Sequence, residues 1–154
     1  MSRTRIRQSA PCAGDCAVRT LVMSQHDAVL QQLVMYLSRS PMLAVTGSAF
    51  SRAGIADGHP EVLVLDLSRL GLADLRDAIE ASRLVGARLI ALASLRDPRA
   101  EELVMQAGGR YQRKVAGANG LADLVLETMA RPTHRADAQS TAPPEPAASA
   151  TRRR

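Results

Sequence analysis

Residues 62–66, Val-Leu-Val-Leu-Asp, constrain this chain more than any other stretch. Four consecutive apolar residues leave no polar face, so a strand built from them must be covered on both sides. That is the habit of a parallel sheet with helices above and below it. The run closes on a carboxylate, Asp66, and a polar loop reaches Gly71 before helical spacing begins near Ala73. In open parallel α/β sheets, ligands sit beyond the carboxyl ends of the strands. Asp66 therefore lies where such a fold does its chemistry. Aspartates after strands also serve simply to satisfy loop backbone donors. At the level of the residues both readings stay open.

The rest of the chain repeats the same unit. Val18–Met23 is expected to form a first strand and Ser24-Gln25-His26-Asp27 the loop after it, with Asp27 capping a helix over residues 28–38. Leu30, Leu33, Val34 and Leu37 share one face of that helix, and Ser40-Pro41 stops it. Residues 42–48 predict a second strand. The glycine-interrupted stretch 50–59 predicts a short helix ending at Gly58. After the strand that ends at Asp66, residues 73–84 predict a helix broken by Gly86, and Arg88–Ala93 a fourth strand. Asp97-Pro98 is an N-cap followed by proline at the first helical position, opening a helix that ends at Gly108-Gly109. Residues 110–115 predict a short fifth strand, the least apolar and hence placed at a sheet edge. A loop delimited by Gly117 and Gly120 leads to a last helix, Leu121–Ala130, which Pro132 ends. Five strands alternating with five helices predict a three-layer α/β domain over residues 18–131.

The flanking segments differ. Residues 1–17 are Arg-rich and broken by Pro11 and Gly14. Residues 132–154 are Ala-, Pro- and Ser-rich and close in Arg-Arg-Arg; both are expected to be disordered. The chain's net charge of +5 comes mostly from them, since residues 18–131 hold 13 Arg and Lys against 12 Asp and Glu. The high isoelectric point therefore argues for weak, salt-sensitive attraction of the tails to nucleic acid at most. With Phe50, Tyr36 and Tyr111 as the only aromatics, a base-stacking surface for single strands is not expected. Cys12 and Cys16 lack the second Cys or His pair that a zinc site needs and are expected to be free thiols. No apolar run reaches transmembrane length, and no apolar stretch follows the basic N-terminus. A cytoplasmic location is the expectation. Glycine-rich phosphate loops, Gly-x-Ser-x-Gly and His/Cys/Asp metal spacings are missing from the sequence, which argues against an enzyme. His26, His59 and His134 fall in loops or tail.

Over residues 18–131 the sequence resembles a response-regulator receiver domain, in the style of those that precede helix-turn-helix output domains. Several stretches carry the resemblance. Residues 41–49 look like the second strand, and residues 60–67 (Pro-Glu-Val-Leu-Val-Leu-Asp-Leu) match the phospho-acceptor strand. Gly71 stands five residues after Asp66. Gln106-Ala107-Gly108-Gly109 matches the end of the fourth helix. Tyr111 and Lys114 keep the spacing of the switch aromatic and the lysine, after one deletion just before Tyr111. The resemblance implies a flavodoxin-like fold with a five-stranded parallel sheet. It also implies Asp66 as the acceptor of a phosphoryl group from a histidine kinase. A pair of acidic residues after the first strand would hold Mg²⁺ with it. Lys114 would pair with the phosphoryl oxygens, and a hydroxyl after the fourth strand would hydrogen-bond them. Tyr111 would then change rotamer and alter the face made by the fourth helix, fifth strand and fifth helix.

Departures from that pattern set a different expectation. The acidic pair aligns with Ser24 and Gln25, leaving Asp66 a weak metal ligand, and Asp27 is the only acidic neighbour. The hydroxyl position aligns with Ala93, so Ser94 serves only if the strand ends early. Leu70 replaces the loop proline and Val115 follows Lys114 where proline is common. Lys114 and Asp66 are then expected to persist as a structural ion pair. Mg²⁺ is expected only if phosphorylation is retained. The expected function is a degenerate two-component receiver module that works by protein–protein interaction through Glu101, Glu102, Met105, Tyr111 and the last helix, with a homodimer through that surface as one form. The alternatives are a conventional receiver phosphorylated at Asp66 and a regulator that binds nucleic acid through its tails.

Overall fold

The computed structural model describes residues 17–114 and 120–132. The expectations of disordered tails, free Cys12 and Cys16, and a loop at Gly117 lie outside the described residues, as do Val115 and His134. Ten elements alternate along the chain: β1 (Val18–Met23), α1 (Asp27–Leu37), β2 (Leu43–Ser48), α2 (Arg52–Gly58), β3 (Val62–Asp66), α3 (Leu72–Val85), β4 (Arg88–Ala93), α4 (Pro98–Gln106), β5 (Arg110–Arg113) and α5 (Leu121–Ala130). All four strand pairings are parallel and the sheet order is β2-β1-β3-β4-β5. This is the doubly wound arrangement in which the strand order reverses between β1 and β3.

β3 explains why the sheet is central. Every one of its residues is buried, and its side chains alternate between two cores. Leu63 and Leu65 join Leu21, Met23, Ile55, Leu75, Ala78, Ala100 and Val104 on the side covered by α2, α3 and α4. Val62 and Val64 join Val22, Leu33, Leu37, Ile90, Leu92, Leu121 and Val125 on the side covered by α1 and α5. A fully buried Val or Leu contributes roughly 1.5–3 kcal/mol, so the sheet's central strands anchor both layers at once. β5 forms one edge, as its lower apolar content predicts.

Helix ends follow local chemistry. Asp97 caps α4 by accepting from Arg99 N (3.0 Å) and Ala100 N (3.3 Å), with Pro98 first in the helix. Ser51 caps α2 in the same way, accepting from Gly54 N at 3.0 Å. α3 ends at Gly86, whose φ of +72° suits glycine. Its start differs from the usual capping box: Gly71 has no side chain to give, and only the reverse bond forms, from Gly71 N to Asp74 Oδ2 at 3.3 Å. One expectation is corrected. Asp27 is not the cap of α1 but its first residue, while His26 holds the cap position without a side-chain bond. The backbone sets this: Leu30 N donates to His26 O at 2.9 Å, so the first helical turn already closes on His26, whose extended conformation makes it the cap. The Asp27 carboxylate instead lies in the first turn, where it favours the positive end of the helix dipole.

Candidate functional site

The register of the strands assembles the site. Met23 of β1 is paired with Leu65 of β3, so Ser24 and Asp66 leave the sheet side by side at the point where the strand order reverses. On the other flank, Lys114 N donates to Ala93 O at 2.8 Å and continues the β4–β5 pairing past its last rung. The lysine side chain then spans the end of β4, which closes in the small Ala93, and reaches β3.

The Asp66 carboxylate is fully buried, and each of its oxygens is occupied. Oδ1 lies 2.5 Å from Lys114 Nζ and accepts from Ser68 N at 3.1 Å. Oδ2 accepts from Ser24 Oγ at 2.8 Å. The Ser24 hydroxyl also lies 3.3 Å from His26 O, but it has one proton, and the shorter contact to a charged acceptor is the stronger. Lys114 Nζ additionally donates to Ser68 Oγ at 3.2 Å. Desolvation pushes the Asp66 pKa up; Lys114, the Ser68 amide, Ser24 and the Ser68 hydroxyl pull it down. Together they hold it below the ordinary aspartate value of 3.8. The loop is shaped for this. Ser68 N folds back on the carboxylate as in an Asx turn, and Arg69 follows at a φ of +61°, in the left-handed region.

Of the residues singled out from the sequence, Asp66 and Lys114 are brought together. Ser94 is not: β4 does end at Ala93, but Ser94 is exposed, and no hydrogen bond joins it to Asp66 among the described residues. Tyr111 is held elsewhere. Its ring packs on the α3–α4 side core, and its hydroxyl accepts from Asp97 N at 3.0 Å and donates to Leu95 O at 3.4 Å. Gln25 and Asp27 are exposed. Two participants were missed. Ser68 was legible as the residue two after a loop aspartate. Ser24 was read only as a lost carboxylate, although a hydroxyl one residue beyond a strand beside β3 is well placed to donate.

The residues do not fit Mg²⁺. That ion takes oxygen ligands and is held by carboxylates and phosphate. Here the Asp66 carboxylate has its charge balanced by Lys114, and the Ser24 proton faces the oxygen an ion would need. Among the described residues, no group of three or more His, Cys, Asp or Glu is placed to hold a metal. Nor is any described helix long and apolar enough to cross a membrane.

No protein-family model matches the sequence, and the search of curated proteins finds no match. Solved structures do match the fold. A Burkholderia pseudomallei protein described as pilus-assembly related is 20% identical, with a TM-score of 0.63 over 79% of this chain and 96% of that one. The signal receiver domain of a response regulator, NarL, from Mycobacterium tuberculosis is 22% identical, with a TM-score of 0.63 over 75% of this chain and 98% of its own. A CheY-like receiver domain protein from Methanospirillum hungatei is 15% identical, with a TM-score of 0.61 over 74% and 94%. The fold is that of receiver domains.

Proposed function

We propose that this chain is a receiver-like module of two-component signalling that works through protein–protein contact rather than by accepting a phosphoryl group. The observation that carries the reading is the buried Asp66 carboxylate with both oxygens occupied. A phosphoryl donor must reach one of those oxygens, and none is exposed. The pinned Tyr111 supports the same reading, because its hydroxyl is committed to the β4–α4 loop. The shared fold is neutral on this point, since the matched proteins include both response regulators and proteins described as pilus-assembly related.

The partner is a histidine kinase or another signalling protein, and the contact face is that of α4, Tyr111 and α5. Met105 is 59% exposed there, Glu102 is exposed, and Glu101 pairs with Arg96 at 3.0 Å. Incubation with acetyl phosphate and Mg²⁺, followed by intact-protein mass spectrometry, tests the reading. An unmodified mass is expected; a phosphorylated species abolished by Asp66→Ala overturns it.

The second reading, a conventional phospho-acceptor, draws its support from the Lys114–Asp66 pair at the carboxyl end of β3. It requires the Ser24 bond to open, and the same mass measurement decides it.

A further inference from the structure

Ser24 is more than a missing acid. It is itself fully buried, and its hydroxyl makes two bonds: it donates to Asp66 Oδ2 and accepts from His26 N, and so ties the end of β1 to the end of β3. A divalent cation at a carboxylate supplies positive charge and fixes the geometry of the oxygens. Here the ammonium of Lys114 supplies the charge, and two donors, the Ser68 amide and the Ser24 hydroxyl, fix the oxygens. The net charge of the Asp66–Lys114 pair is zero, so the pair offers no excess negative charge to draw a doubly charged ion in. An O–H group aimed at the carboxylate must also turn away before such an ion could bind there.

We infer that Ser24 is a positioning residue that, together with the Lys114 ammonium, stands in for a metal ion, so that the Asp66 site is complete without a divalent cation and excludes one. This rests on the reading of the site as one that takes no phosphoryl group. It fails separately from that reading, because metal binding and phosphorylation are read by different probes.

The test uses Mn²⁺ alone on the full chain, with amide NMR reading the paramagnetic broadening it causes near its site. The native chain is expected to show no broadening selective for the residues around Ser24 and Asp66. The double variant Ser24→Asp/Gln25→Asp, which removes the hydroxyl and adds two carboxylates, is expected to gain such broadening and to lose it again when Asp66→Ala is added. Ser24→Ala and Ser24→Thr keep the inference testable should the double variant not fold. Loss of the hydroxyl in Ser24→Ala is expected to shift the Asp66 side-chain carboxyl ¹³C resonance, and Ser24→Thr to restore it. Selective broadening in the native chain that disappears in Asp66→Ala overturns the inference. So does a folded double variant that binds no Mn²⁺, or an Asp66 resonance indifferent to Ser24→Ala.

Discussion

Two neighbouring corners at the carboxyl end of the sheet are built on opposite principles. At the ends of β1, β3 and β5, a buried carboxylate has every oxygen met by a named donor. At the end of β4, Ser94 is exposed and Leu95 is 81% exposed. In a device that relays a change at the carboxylate to its surroundings, the two corners would be joined by a hydroxyl from β4. Ala93 offers none. On the reading proposed above the closed corner is organised for permanence, and the open one is linked to the fold through Tyr111 rather than through Asp66.

The largest expected effect lies in the closed corner. Lys114→Met strands the Asp66 carboxylate in a buried site and is expected to destabilise the chain by about 3 kcal/mol in urea unfolding. Asp66→Asn is expected to cost less, because the Lys114 side chain is 22% exposed and can turn to water. Equal costs would mean that the pair is not the buried half of the comparison. The same corner contributes to acid stability. The folded-state pKa of Asp66 lies below the ordinary value of 3.8, so the stability it confers is fully present above that value. It is lost as pH falls through the folded-state pKa. Unfolding free energies followed from about pH 5 to about pH 2 are expected to fall more steeply for the native chain than for Asp66→Asn.

Effects at the open corner are smaller. Tyr111→Phe removes the acceptor of Asp97 N and the donor to Leu95 O, at an expected cost of about 1 kcal/mol in the same melts, with the Asp66 amide signal unmoved. Back in the loop of the closed corner, Arg69→Gly relieves a left-handed backbone and is expected to stabilise by at most about 1 kcal/mol, part of which the freer unfolded chain takes back. Ser94→Ala is expected to change stability by less than about 0.5 kcal/mol. A larger loss would show that the open corner is bonded after all.

Much of the fold was legible. The apolar run of β3, the Asp97-Pro98 start of α4 and the weakly apolar β5 each expressed a local rule that the three-dimensional structure obeys. The Asp66–Lys114 pair was legible too, from spacing once the resemblance was drawn. What the sequence hid was which neighbour takes which bond. Asp27 had the right chemistry for a cap, but the helix opens one residue earlier, with His26 O accepting from Leu30 N. Ser24 looked like an absence because a pattern of expected acids scores a hydroxyl as a loss. Its bond to Asp66 depends on the β1–β3 register, which pairs residues more than forty positions apart.

The central claim is that the Asp66 site is closed and does not switch. The most direct measurement is an amide NMR titration of the full chain with Mg²⁺ and then beryllium fluoride, which mimics a phosphoryl group on aspartate. A spectrum that stays folded and unchanged is the expected result. Shifts spreading from Asp66 through Ser94 to Tyr111, absent in Asp66→Ala, would contradict the account and make the chain a working phospho-switch.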